Sequence, residues 1–385
     1  MLNIARSLVM LMIVIIGTAG CTPSSPERLY LEGLIAMSDK EGAKPDYERA
    51  FGLFRDAARR GHSQSQYNLG VMYLSGIGVE KDTKQAFSWF HKAAEQGVAE
   101  AQYNVAVAYS EGQDVQRDEG QAVMWLRKAA DQEFAKAQVL LGTRYGEGLG
   151  VEKDDEQAMF WFKKASEHGD AAAQALIGVR YYHGMGAPKD LVVAKTWFEK
   201  SAVQGNALGQ LWLGILYYFG EGVEKDYQQA FSWISKAAAQ GEAQAQFTLG
   251  VMYSNGEGVQ QDHKQAQSWY LKSAMQGNIK AQGNLGSMYQ HGTGIERDSR
   301  QALLWYRKGA IKGDVLAQKS LAAMYEKGEG IPQDYAQSYA WYAVAAASGD
   351  SLATKERDRV AARLTPDQLI SAQALATRYF EQAKP

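Results

Sequence analysis

GHSQSQYNLGVMYLSGIGVEKDTKQAFSWFHKAAEQ, residues 61–96, decides how this chain folds. Gln66, Leu69, Gly70 and Tyr73 recur at i, i+3, i+4 and i+7, and Ala86, Trp89/Phe90 and Ala93/Ala94 form a second stripe of the same kind. The two stripes predict helices over about 63–75 and 82–96. Pairing large Trp with small Ala lets two helices approach and interdigitate, so the sequence predicts a core centred on Trp89. Gly76 stands just past the first helix, where a left-handed residue is commonly needed. Asp82 opens the second helix, and Gln85 follows three residues later, the spacing of a capping box.

The same grammar runs along the chain. Eight of the nine Trp fall at 89, 125, 161, 197, 233, 269, 305 and 341, always 36 residues apart. Gly76 recurs at 112, 148, 184, 220, 256, 292 and 328, and Asp82 has eight phase-mates from Asp46 to Asp334. These aspartates read as helix caps. Gln66 recurs through Gln318 and predicts a buried ladder of amides, each bonded to backbone or to a neighbour. The region 106–133 departs most, with Ala106, Asp114 and Glu133 where Gly is usual, and an altered local curvature is expected there. A strict period of this length means that each repeat contacts chiefly its neighbours, so the 385 residues need no single large core.

The run at 65–97 and its phase-mates, with the Gly76-Ile77-Gly78 loop, resembles the Sel-1-like repeat family, a relative of the tetratricopeptide repeats. The resemblance implies an all-α fold, an α/α solenoid superhelix of about nine helix-turn-helix repeats. A helix at about 27–38 would complete the first pair. Thr365, Pro366 and Gln368 mark another helix start, so 351–363 and 366–382 are expected to cap the far end. The expected organisation is a signal segment at 1–20, a lipidated Cys and tether at 21–27, the solenoid at 28–349 and the helical cap at 350–385.

The opening MLNIARSLVMLMIVIIGTAGC has Arg6, an apolar run at 8–16 and then small residues. Nine apolar residues are short of the roughly 20 that span a bilayer, but they fit a secretory signal. Thr18-Ala19-Gly20-Cys21 resembles a bacterial lipobox, which implies acylation of Cys21, the sole cysteine. Thr22 in place of Asp implies export to the outer membrane. The expected location is the cell envelope, lipid-anchored, facing the periplasm or the outside. A signal peptide cleaved near Ala19 or Gly20 without lipidation is the alternative.

Little in the chain points to chemistry. Its 41 basic and 43 acidic residues are interspersed, which is no footprint for nucleic acid. The six His show no zinc-site spacing, and HExxH, Walker and GxSxG motifs are absent from the sequence. No cofactor is implied, and the carboxylate pair Glu221 and Glu224 reads as charged loop. The resemblance implies a non-catalytic scaffold that binds a protein partner in a concave groove. The alternatives are binding of polysaccharide or peptidoglycan, and hydrolysis of cell-wall material or β-lactams.

Repeats act as their own control: constant columns serve the fold, and variable ones report this chain's surface. Trp212 breaks the Trp phase, in a column that elsewhere reads Asn68, Asn104, Leu140, Leu176, Thr248, Asn284 and Ser320. Phe219 and Tyr218 stand in columns that are mostly polar. Tyr182, His183, Arg180 and Arg144 lie on the neighbouring first helices. Trp, Tyr and Arg are favoured interface anchors. The candidate partner-binding set is therefore Arg144, Arg180, Tyr182, His183, Trp212, Tyr218 and Phe219. The competing reading is that Trp212 fills a gap between helices.

Overall fold

A computed structural model describes residues 25–38 and 44–382. Cys21 and the expected signal segment lie outside the described residues. Within them are twenty α-helices and no strand, and no helix is long and apolar enough to cross a membrane. The chain is an all-α solenoid of tandem helix pairs, divided into two compact units.

The first unit ends at Asp170. It pairs α1 (Pro26–Met37) with α2 (Tyr47–Arg59), α3 (Ser63–Ser75) with α4 (Thr83–Glu95), α5 (Ala99–Glu111) with α6 (Glu119–Ala130), and α7 (Ala135–Glu147) with α8 (Asp155–Glu167). The second starts at Ala171. It pairs α9 (Ala171–His183) with α10 (Leu191–Val203), α11 (Ala207–Phe219) with α12 (Tyr227–Ala239), and α13 (Ala243–Asn255) with α14 (His263–Met275). It continues with α15 (Ile279–His291) against α16 (Ser299–Ile311) and α17 (Val315–Lys327) against α18 (Tyr335–Ala347). Two closing helices, α19 (Ser351–Ala361) and α20 (Pro366–Gln382), both pack on α18. Tyr379 of α20 stacks on Trp341 with centroids 4.3 Å apart, and its hydroxyl donates to Gln337 Oε1 at 2.8 Å.

Each joint is closed by backbone bonds that the spacing only half announces. Asp82 Oδ1 accepts the Gln85 N–H at 2.9 Å, as a capping residue should. The return arm of a capping box is replaced: the Asp82 N–H donates to the Tyr73 carbonyl at 2.9 Å. The same bond joins Asp118 to Tyr109, Asp226 to Tyr217 and Asp334 to Tyr325. It satisfies a carbonyl left over at the end of the first helix. The reciprocal box does form at Thr365, whose N–H donates to Gln368 Oε1 at 2.9 Å while Gln368 N–H donates to Thr365 Oγ1 at 3.3 Å.

The second glycine of each loop has a separate duty. Gly78, at φ 67°, presses on the first turn of α2, where a Cβ would come within 2.3 Å of the Tyr47 carbonyl oxygen. Asp114 occupies this phase in the departing repeat at φ 62°, and Glu133 also keeps φ 62°. The expected change in local path therefore does not appear in these dihedrals. The repeat keeps the left-handed joints and carries the difference as strain.

The core corrects the Trp-centred expectation. The residue after each Trp is buried in every repeat: Phe90, Leu126, Phe162, Phe198, Ile234, Tyr270, Tyr306 and Tyr342. Trp89, Trp161, Trp197, Trp233 and Trp269 are only half-buried, whereas Trp125, Trp305 and Trp341 are buried as expected. Lysines one turn on cover the indoles: Lys92 Nζ lies 4.1 Å from the Trp89 centroid and Lys272 Nζ 3.9 Å from that of Trp269. Phe90, Phe162, Phe198, Tyr270 and Tyr306 each seat against a first-helix glycine, while the repeat of Tyr342 has Ala322 at that phase. A Cβ on Gly70 would meet Phe90 at 2.7 Å, and one on Gly178 would meet Phe198 at 2.5 Å. Ala106 stands in this glycine column opposite Leu126, a side chain without a ring.

The glutamines form the expected ladder with defined partners. Gln66 Nε2 donates to the Ala58 carbonyl at 3.2 Å, and Gln66 Oε1 accepts from Gln96 Nε2 at 2.6 Å. The amide-to-amide rung recurs at Gln132/Gln102, Gln204/Gln174, Gln240/Gln210 and Gln276/Gln246, each at 2.8 Å. It fails where the donor, thirty residues on, is His168, Lys312 or Ser348. There Gln138, Gln282 and Gln318 keep a buried Oε1 without a partner.

Candidate functional site

The seven candidate residues fall in both units. Arg144, on α7, belongs to the first. Its Nη2 donates to Ser110 Oγ at 2.8 Å, and its Nε lies 3.7 Å from Glu119 Oε2. Burial works against ionisation of Glu119, but the Arg117 hydrogen bond and the Arg144 charge hold its carboxyl below the usual range. Arg144 is therefore part of a structural ion cluster linking α5, α6 and α7.

The other six lie on α9 and α11 of the second unit. These two make the most extensive contact of any successive first helices among the described residues. Aromatic rings fill that contact. Trp212 stacks nearly parallel on Phe198, with centroids 5.8 Å apart and planes 8° apart. Tyr182 leans on Trp212 at 4.8 Å, and His183 meets it edge-on at 5.6 Å. Trp212 is half-buried, so it packs between helices and also keeps a wet edge. Arg180 is only 8% exposed and lies in the interior.

Two acidic loop residues fix the tyrosines. Tyr182 O–H donates to Glu221 at 2.5 Å, and Tyr218 O–H donates to Glu257 at 2.6 Å. Burial, then the bond to Glu221, pushes the Tyr182 phenol up to about 12. Burial and Glu257 raise the Tyr218 phenol as well. The same 39-residue reach joins Gln290 to Glu329 at 3.2 Å. Glu221 is thus a half-buried acceptor and not a free loop charge, correcting the sequence expectation. The signal was present in the sequence: Tyr or Gln at one phase, with Glu 39 residues on.

Phe219 is different. It is 62% exposed, beside Tyr218 at 4.9 Å, whose other face meets Tyr227 at 5.3 Å. His183 is exposed too. The structure thus brings Tyr182, His183 and Trp212 into one ring cluster and Tyr218 with Phe219 into another on α11. Among the described residues no group of three or more His, Cys, Asp or Glu is placed to hold a metal ion.

Helix pairs of 36 residues with left-handed Gly joints and an amide ladder define a solenoid repeat protein, a frame whose individuality lies in its variable columns. The chain belongs to the Sel1 repeat family, whose model matches residues 28–62, 63–98, 99–134, 135–170, 171–206, 207–242, 243–278, 279–314 and 315–350. It is similar, at 34% identity over 93% of this chain and 84% of the other, to a protective antigen present in uropathogenic Escherichia coli strains displaying an SLR fold (TM-score 0.57). It is also similar to a Sel1 repeat protein from Oxalobacter formigenes, at 32% identity over 64% of this chain and 96% of the other (TM-score 0.60). No curated protein sequence matches it significantly.

Proposed function

We propose that this chain is a lipid-anchored interaction scaffold of the bacterial cell envelope, and that a protein partner seats against α9 and α11 around Trp212 and Phe219. Phe219 carries the reading. Phe219 stands 62% exposed with only the edge of Tyr218 against it, and its phase-mates are mostly polar, such as Ser75, Glu111, Asn255 and Lys327. Tyr182 and Tyr218, held by Glu221 and Glu257, give the partner a rigid aromatic floor that loses little entropy on binding. Arg144 and Arg180 serve the frame.

The envelope location rests on the lipobox-like Thr18-Ala19-Gly20-Cys21, and the description of the Escherichia coli relative as a protective antigen agrees with it. Incorporation of labelled palmitate that disappears in Cys21→Ala tests the anchor. A photo-crosslinking residue at 219, with one at 255 in the same column as control, tests the surface in intact cells. The reading expects a discrete protein adduct at 219 that His183→Ala weakens. Equal adducts at both positions, or a polysaccharide smear in place of a band, would sink it.

A further inference from the structure

The last residue of each second helix changes character between the two units. In the first unit this phase holds Arg59, Glu95 and Glu167, with Asp131 just past α6. In the second it holds Val203, Ala239, Met275, Ile311 and Ala347. All five are exposed, Val203 at 74% and Met275 at 77%. Leu271, one turn before Met275, is exposed too, as are Leu316 and Leu352 at the starts of α17 and α19. Hydrogen bonds between successive turns make this edge continuous. Gln240 Nε2 donates to the Gly205 carbonyl at 2.9 Å, Gln276 Nε2 to Gly241 at 2.8 Å and Lys312 Nζ to Gly277 at 3.5 Å.

We propose that this apolar edge pairs with the same edge of a second copy of the chain, antiparallel, about a two-fold axis through Met275. The strip reads Val, Ala, Met, Ile, Ala. Reversed upon itself it sets Ala239 against Ile311, Val203 against Ala347 and Met275 against Met275, so large side chains meet small ones and the adaptable Met lies on the axis. The exposed apolar side chains amount to roughly 600 Å². With the intervening glutamines, that approaches the ~800 Å² per partner of a standard interface.

Charge on the strip argues against a bilayer. Its five turns (203–208, 239–244, 275–280, 311–316 and 347–352) contain Lys280 and Lys312 as their only basic residues and no Trp or Tyr, whereas membrane-surface faces carry rows of both. The acids Glu242, Asp314 and Asp350 are each turned inward, accepting the N–H of Ala245, Ala317 and Ala353 at the start of their own helices.

Disulfide trapping tests the pairing in the full chain with Cys21→Ser as background. Met275→Cys should crosslink with itself under mild oxidation. Ala239→Cys with Ile311→Cys in one chain should also crosslink, while Ile311→Cys alone should stay monomeric. No crosslink at 275, or equal crosslinking at all placements, overturns the proposal. In sedimentation, Met275→Lys should weaken self-association at least tenfold with helical content unchanged; association unchanged by it also overturns the proposal. So does a monomer that binds phosphatidylglycerol vesicles in a way that Met275→Lys abolishes, since the occupant is then a membrane.

Discussion

Gln96 Nε2 donates to Gln66 Oε1 at 2.6 Å, and this rung ties the end of α4 back to the buried amide of α3, its own partner in the helix pair. Gln66 is thereby used at both ends of its amide, because its own Nε2 holds the Ala58 carbonyl. A buried acceptor without a donor costs about 1–3 kcal/mol. The ladder can therefore be mended where it breaks. Lys312→Gln supplies a donor for Gln282, and Ser348→Gln one for Gln318. Each should stabilise the second unit by about 1 kcal/mol in urea melts. Gln240→Ala should do the reverse, leaving Gln210 with an unpaired Oε1.

Glycines in this chain divide by what a methyl group would strike. Gly250→Ala drives a Cβ to 2.6 Å from the Tyr270 ring, and about 1–3 kcal/mol of stability should be lost. Gly52, inside α2, has nothing within 4 Å of the same methyl, so Gly52→Ala should stabilise by about 0.5–1 kcal/mol. Thermal unfolding of the two variants should move in opposite directions.

The two non-glycine residues at positive φ invite the opposite exchange. Glu133→Gly relieves a left-handed strain of about 1 kcal/mol, at the loss of an exposed contact with His168. Asp114→Gly should act in the same sense. Hydrogen exchange across 99–134 should slow in both.

Tyr182 sets a limit on alkaline stability. Its phenol ionises near 10.0 in an unstructured chain and near 12 in the fold, so the fold favours the un-ionised form. This contribution is complete below pH 10.0 and is lost as pH rises through about 12. Ultraviolet titration should show a late tyrosine step that Tyr182→Phe removes, together with part of the loss of stability in that window.

Helix limits were legible because the stripes and joints repeat. The expected 63–75 and 82–96 stand as Ser63–Ser75 and Thr83–Glu95, with Asp82 and Gln96 as caps. What hid from the sequence was which large side chain goes deepest. Adjacent Trp89 and Phe90 occupy one stripe, and only the glycine opposite Phe90 decides between them. The candidate surface was legible as a set of departures from column type, but not in its exposure. Arg180 and Phe219 both depart from their columns, yet one is interior and the other stands in water. Glu221 read as a loop charge because its partner Tyr182 lies 39 residues back, farther than a helical wheel can show.

The bond from Asp82 N–H to the Tyr73 carbonyl spans nine residues, and its counterparts recur along the chain. Fastenings of such low contact order form early in folding. A nascent chain can therefore secure each hairpin before the following one exists. A whole 36-residue module gained or lost by recombination would bring its own fastening with it, so array length is open to evolutionary change while the joint is not.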